Sequence, residues 1–101
     1  MTQFEKKVIN AIKMIPSGKV TTYGEIARCI GNVKAVRAVG NAVSKNPDLL
    51  IVPCHRVVRS DGKIGGYSKG TQIKIELLKE EGIYIKGGKV IDFKKKLYKY
   101  D

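Results

Sequence analysis

Apolar residues recur at helical spacing from the start of the chain: Phe4, Val8, Ala11, Ile12 and Ile15, with Lys and Glu between them. That period predicts an amphipathic helix over residues 2 to about 15, with Thr2 placed to cap it. Pro16-Ser17-Gly18 ends it with turn chemistry. Thr22 and Glu25 have capping-box spacing and open a second helix, which runs through Ile26, Ala27 and Ile30 to Gly31-Asn32. Cys29 lies within this helix and reads as an inert packing residue. A third helix is predicted from about Val33 to Lys45. Ala35, Val36, Val39, Ala42 and Val43 form its buried side. Lys34, Arg37, Asn41, Ser44 and Lys45 follow one another at three- and four-residue steps on the other. Gly40 and the Ala residues keep the helix thin. Two helices joined by a short turn, the second thin and basic, predict a helix-turn-helix, although an ordinary amphipathic surface helix carries the same stripe.

Beyond the third helix the period changes. Asn46-Pro47-Asp48 breaks the helix and leads into an apolar run ending at Pro53-Cys54. Val57 to Arg59 and Lys63 to Ile64 flank Ser60-Asp61-Gly62, a hairpin-like turn. Gly65-Gly66-Tyr67-Ser68-Lys69-Gly70 reads as a flexible loop whose glycines permit close approach of backbone to a ligand. A fourth helix, about Thr71 to Glu81, is expected to turn Ile73, Leu77 and Leu78 inward and to stop at Gly82. Ile83-Tyr84-Ile85 and Lys89-Val90-Ile91 predict a small hairpin around Lys86-Gly87-Gly88. From Lys94 the chain reads as a basic, loosely ordered tail. The expected fold class is mostly α with small β hairpins, a winged-helix-like helix-turn-helix domain, with residues 1–101 forming one domain.

Charge narrows the class of partner. Twenty Lys and Arg against nine Asp and Glu leave a net charge of +11. In so short a chain this suits a polyanion, nucleic acid first, with a Lys-rich solvated surface as the competing explanation. Cys29, Cys54 and a single His cannot assemble an ordinary four-ligand zinc site. Their spacing leaves a disulfide open, but without a secretory signal a reducing cytosol is expected. No apolar run approaches the roughly 20 residues of a membrane span. A cytoplasmic monomer with no membrane partner, no metal and no cofactor is therefore expected.

The candidate chemistry lies in Ile51-Val52-Pro53-Cys54-His55-Arg56-Val57-Val58. Pro53 fixes the backbone before a Cys, and the chain's only His follows. A thiol attacks carbon as the thiolate, which neighbouring His and Arg residues favour. A buried Cys in an apolar strand is the plainer alternative.

This segment resembles the active-site signature of the O6-alkylguanine-DNA alkyltransferases, also called methylated-DNA–protein-cysteine methyltransferases. The resemblance extends over about residues 4 to 82. It is carried by Ile15-Pro16-Ser17-Gly18-Lys19-Val20, Thr22-Tyr23-Gly24-Glu25-Ile26-Ala27, Arg37-Ala38-Val39-Gly40, Asn46-Pro47, Pro53-Cys54-His55-Arg56-Val57, Gly65-Gly66-Tyr67-Ser68 and Glu81-Gly82, in that order. It implies a repair reaction on double-stranded DNA containing O6-alkylguanine: the base is flipped out and its alkyl group passes to the Cys, which is not regenerated. Carried over by position, Cys54 is the alkyl acceptor and His55 a base acting on it through a water. Glu81 is the carboxylate orienting that base, although Glu80 adjoins it. On this implication the Cys54 pKa lies below the free-thiol value of about 8.5. Tyr23 resembles the phenol that serves guanine N3, the Ser68 backbone would bond O6, and the carbonyls of Cys54 and Val57 would hold the exocyclic amine. Tyr67 would wall the pocket. Arg37 resembles the finger that enters the minor groove, with Lys34, Asn41 and Lys45 as further DNA contacts on the same helix. Asn46 resembles the hinge tying that helix to the Cys segment.

Most alkyltransferases carry a further N-terminal domain, whereas this chain starts almost at the DNA-binding one. Alkyltransferase-like proteins bind lesions but have another residue, often Trp, where this chain has Cys54. Two alternatives thus stand beside a suicide alkyltransferase: a lesion-binding module that recruits other repair factors, and a plain helix-turn-helix regulator.

Overall fold

At the first turn of α1 (Gln3–Lys13), Thr2 Oγ1 accepts from Glu5 N at 3.0 Å and Glu5 Oε1 accepts from Thr2 N at 2.8 Å. This reciprocal capping box satisfies backbone donors that the helix itself cannot, so the helix starts where the sequence places it. The structure, a computed structural model, describes residues 1–46, 48 and 51–101. Val8, Ile9, Ala11 and Ile12 are its buried stripe. In α2 (Tyr23–Cys29) only half of the expected box forms. Thr22 Oγ1 accepts from Glu25 N at 3.0 Å, but the Glu25 carboxylate turns to Arg28 instead.

α3 (Val36–Ser44) is shorter than the periodicity predicts, because Val33 and Lys34 lie in the turn before it. Only Val39 and Ala42 are buried along it. Val36, expected inside, is exposed, and Cys29, expected to pack, is exposed on α2. No disulfide forms between Cys29 and Cys54. Pro47, expected to help break α3, lies outside the described residues.

The mostly helical, helix-turn-helix architecture is as expected, and its first sheet is a surprise. β1 (Thr21–Thr22) and β2 (Val57–Val58) pair in parallel, Thr21 opposite Val57 and Thr22 opposite Val58. Side chains alternate across a strand. Val57 accordingly joins a core with α1, α2 and α3, while Val58 joins a second core with Val20, Ile64, Leu78, Ile83 and Val90. The Ser60-Asp61-Gly62 turn forms as predicted, with Arg59 N donating to Lys63 O and Gly62 N to Arg59 O. β3 (Ile85–Lys86) and β4 (Lys89–Val90) make the expected hairpin.

Two further expectations are corrected. On α4 (Thr71–Glu80) the buried residues are Lys74 and Leu78, while Ile73 is exposed and Leu77 half-buried. The residues from Lys94 are not a loose tail. After α5 (Phe93–Lys96) the chain returns to β1, where Tyr98 N donates to Val20 O at 2.7 Å and Thr21 Oγ1 donates to Tyr98 O at 2.9 Å. Phe93 covers Gly62, where an added Cβ would lie 3.2 Å from its ring and the backbone has φ +86; that turn therefore requires glycine. Tyr100 is buried in the first core, stacked edge-on against Tyr98, and its hydroxyl donates to Ala11 O at 2.6 Å.

This anchoring is measurable. Tyr100→Phe should lower stability by about 1 kcal/mol, leaving the Ala11 carbonyl with only the longer bond from Met14 N, and Tyr100→Ala by about 3 kcal/mol or more. The exposed Tyr84→Phe should stay within about 0.5 kcal/mol of wild type. Urea midpoints at fixed pH check all three, and a silent Tyr100→Ala would restore the loose tail.

Candidate active site

Cys54 opens a single 3₁₀ turn, Cys54–Arg56, between Pro53 and β2. Pro53 forbids a ladder bond from its own nitrogen, so the chain turns here instead of continuing as the apolar strand the hydropathy alone would allow. The thiol is buried at the floor of a cavity of about 360 Å³, lined by Tyr23, Gly40, Val43, Ser44, Cys54, Gly66, Tyr67 and Ser68. That volume lies at the small end of the roughly 300–1,000 Å³ of ligand sites. Three separate parts of the chain meet there: the start of α2, one side of α3, and the glycine loop before α4.

Asn46 joins the end of α3 to the nucleophile turn. Its Nδ2 donates to Cys54 Sγ at 2.7 Å and to Val52 O at 3.2 Å, while its Oδ1 accepts from Asp48 N at 3.0 Å. The thiol in turn faces Val43 O at 3.8 Å. Burial pushes the Cys54 thiol up from its ordinary pKa, while the Asn46 amide and the Lys74 ammonium pull it down. The net direction is upward, and His55 is not among the groups that lower it. A Cys54 pKa held below the free-thiol value by His55 and Glu81 is thus not what the site displays. Desolvation of the thiolate outweighs the polar groups that face it.

His55 is absent from the cavity lining. Its Nε2 lies 3.0 Å from Glu81 Oε2, and its buried Nδ1 has no hydrogen-bond partner. Glu81 also takes Arg56 in a two-pronged pair, Nε to Oε1 at 2.9 Å and a terminal nitrogen to Oε2 at 2.6 Å. The other arm of Arg56 donates to Ile15 O at 2.8 Å. Burial raises the Glu81 carboxyl, but bonds from Arg56 and His55 outweigh it and hold the pKa below the usual range. An ionised Glu81 accepts, so Nε2 is the nitrogen that donates to it, and in the neutral ring Nδ1 is an acceptor.

Other predicted residues distribute around this centre. Tyr23, Tyr67 and Ser68 line the cavity, and burial together with the Cys54 charge raises both phenols. Val57 is absent from the lining; its carbonyl accepts from Lys74 Nζ at 2.7 Å. Arg37 and Asn41 are exposed on α3, Lys34 is exposed in the turn preceding it, and exposed Lys45 lies 3.6 Å from Glu5. Sequence reasoning missed Arg56 and Lys74 as parts of the site. A signal for the second existed: Lys74, Leu78 and Glu81 stand at i, i+4 and i+7, one helical face.

Residues 3–83 match the family described as 6-O-methylguanine DNA methyltransferase, DNA binding domain. A methylated-DNA–protein-cysteine methyltransferase of Methanosarcina acetivorans is 58% identical over 81 residues, 80% of this chain and 52% of the relative. The chain thus spans about half the length of the curated relatives it matches. A crystal structure of Mycobacterium tuberculosis OGT in complex with DNA aligns with TM-score 0.79 and 46% identity, over 81% of this chain and 50% of the other. S. pombe Atl1, in complex with damaged DNA containing O6-carboxymethylguanine, aligns with TM-score 0.84 and 38% identity, over 99% of this chain and 98% of the other.

Glu81→Gln should destabilise the fold by roughly 2–3 kcal/mol at neutral pH, because it leaves the mostly buried Arg56 unpaired. The sign with pH follows from the depressed carboxyl. Its contribution is present above the ordinary value of 4.5 and is lost as pH falls through the folded value. Wild type and mutant should therefore converge in acid. Denaturation midpoints across that range decide it, and a constant gap would remove the ionised pair.

Proposed function

Because the chain belongs to the 6-O-methylguanine DNA methyltransferase family, matched through its DNA-binding domain, we propose that it repairs DNA by taking the O6-alkyl group of guanine onto Cys54. The observation that carries this reading is a buried cysteine at the base of a cavity walled by two phenols and a glycine-rich loop. A thiol so deep cannot meet a base inside a stacked duplex, so the guanine enters extrahelically, at a few kcal/mol for unstacking.

In the proposed step the Sγ–carbon bond forms as the O6–carbon bond breaks, and the bonding electron pair stays on O6. The thiol gives up its proton and the purine takes one up, leaving a thioether and ordinary guanine. His55 Nδ1, the free acceptor, suits the first proton through a bridging water, with Glu81 and Arg56 fixing the ring. Tyr23, its phenol held protonated by burial, suits a donor to the departing purine. The Ser68 backbone and the Cys54 carbonyl suit the base edges, and the second lone pair of the Val57 carbonyl is open to the same use. On α3, Arg37 lies one turn before cavity-lining Gly40, a position from which a cation fills the gap left by the base. Lys34, Asn41 and Lys45 would contact the backbone, and Asn46 would hold α3 to the nucleophile turn.

A second reading is lesion binding without transfer. Likeness over nearly the whole chain to Atl1, itself bound to damaged DNA, favours it. Against it stands the cysteine, which binding alone does not require.

Incubation with duplex DNA containing O6-methylguanine, followed by intact-protein mass measurement, separates the two. Transfer adds one methyl group to the protein, with loss of a proton. Cys54→Ala should add none yet keep affinity for the lesion, while Cys29→Ser should behave as wild type. A wild type that binds the lesion and never gains mass supports the second reading.

Arg37→Ala divides extrusion from chemistry. Repair of duplex DNA should fall at least tenfold, whereas reaction with free O6-benzylguanine, which needs no flipping, should change less than about twofold. Equal losses would assign Arg37 to the fold or the pocket.

A further inference from the structure

Away from the cavity, positive charge gathers where the repair chemistry gives it no role. Lys63 lies opposite Lys89, and Lys89 lies opposite Lys86 across the β3–β4 hairpin. Three cations therefore stand in one row across three adjoining segments of chain. Ile64 N donates to Gly88 O and Val90 N to Gly62 O, both at 2.9 Å. Lys63 and Lys89 are thus the non-hydrogen-bonded kind of antiparallel pair, whose side chains come closest. Alternation along the strands sets the direction of the row. Ile64, Ile85 and Val90 pack into the second core, so Lys63, Lys86 and Lys89 point outward, and all three are exposed. Tyr84 and Ile91 share that outer face, 54% and 43% exposed.

Like charges directly opposite one another weaken a sheet. An edge strand is commonly blunted by lysine, which accounts for Lys86 on β3 but not for Lys89 in the middle. Among the described residues the row has one ion pair, Lys63 Nζ to Asp61 Oδ2 at 4.0 Å. The other oxygen of that carboxylate accepts from Lys63 N at 3.0 Å. Lys86 and Lys89 are unpaired. A row of cations kept on a middle strand without carboxylates fits an anion brought by a partner.

The row is also continuous with α3. Lys63 O accepts from Arg59 N, and exposed Arg59 lines a groove of about 270 Å³ together with Val36, the first residue of α3. Exposed cations thus run from Lys34 and Arg37 through Arg59 to Lys63, Lys89 and Lys86. At a strand spacing of about 4.8 Å the row is roughly 10 Å long. Over that length one DNA strand carries about three phosphates.

We propose that this row is a second DNA anchor: Lys63, Lys86 and Lys89 hold the phosphate backbone of the duplex beyond the lesion, apart from α3 and the cavity. The inference rests on duplex DNA being the substrate. It gives a role to the hairpin of residues 84–91, which lies outside the residues 3–83 that match the family. Backbone contacts carry no sequence information, but they fix the register of a protein on the duplex. An anchor outside the cavity steadies the protein while the base leaves its stack.

The test measures DNA affinity against salt concentration, with the full chain and an undamaged fluorescent duplex. Lys63→Gln, Lys86→Gln and Lys89→Gln together remove three phosphate contacts. The slope of log affinity against log salt should become shallower by about 2 to 3, and low-salt affinity should fall at least about tenfold. Lys89→Gln alone should make it shallower by about 1. Reaction with free O6-benzylguanine should change less than about twofold, because the cavity is untouched. A matched triple variant, Lys7→Gln, Lys13→Gln and Lys79→Gln, removes the same charge from exposed positions elsewhere and should keep the wild-type slope. Equal losses in the two triple variants would mean that net charge alone acts, which overturns the proposal. A wild-type slope in the row variant overturns it too, as does lysine-dependent binding confined to single-stranded nucleic acid. Failure of the repair reading shows elsewhere, as absence of methyl transfer from damaged DNA by the unaltered protein, while the salt slopes still judge the row.

Discussion

The pairing of β1 with β2 is the constraint on which the site depends. It is only two residues long on each side, Thr21 opposite Val57 and Thr22 opposite Val58. Tyr23 follows one strand directly and the Cys54–Arg56 turn leads directly into the other. One register therefore puts the phenol and the thiol on the same cavity. A slip of one residue would exchange Val57 and Val58 between the two cores. It would also carry the nucleophile turn away from the start of α2. The returning chain reinforces this register, because Tyr98 bonds to both Val20 and Thr21 at the edge of β1.

The other half of the frame is α4, which holds the nucleophile turn residue by residue. Glu81, at its C-terminal cap, takes His55 and Arg56, and Lys74, nearly two turns earlier, takes the carbonyl of Val57. Leu78, between them on the same face, is fully buried in the second core. One apolar residue thus anchors the helix and two charged ones fix the turn. Because an isolated charge cannot stay buried, each charged residue specifies its partner as well as its position. Arg56 extends the network to α1 through the Ile15 carbonyl.

What the sequence discloses depends on whether the cause is local. The Thr2 cap, the Gly62 turn, the Lys86-Gly87-Gly88 hairpin and the helix-turn-helix all follow from spacing within a few residues. The cavity segments around Tyr23, Cys54 and Tyr67 stand out through their residue types. The face of α4 does not, since Ile73, Ile75, Leu77 and Leu78 offer apolar residues nearly all round it. The spacing of Lys74, Leu78 and Glu81 marks one face among these, but two distant backbone carbonyls are what select Lys74 for the interior. The short parallel pair is equally non-local. At the C-terminus, Tyr98 and Tyr100 alternate with Lys99 in a strand-like period, masked by the lysines that precede them. Val36 is exposed because α3 begins only there, a boundary that hydropathy does not resolve.

Burial has opposite effects on this site, and the balance between them explains its composition. It shields the thiol from bulk solvent and places it where only a base that has left its stack can arrive. It also disfavours the thiolate that the proposed transfer requires. A histidine beside the cysteine is the obvious remedy in sequence, yet the His55 ring is turned toward Glu81, a carboxylate already neutralised by Arg56. What bonds the sulfur instead is an amide from Asn46, and the charge of Lys74 also draws the thiol down. Burial strengthens that field, and it is fixed because the ammonium is bonded on two sides, to the carbonyls of Val57 and Gly66. The same burial lowers the lysine's pKa to about 8. The penalty of burial is therefore partly offset by polar groups that the pairing of β1 with β2 and the packing of α4 hold in place.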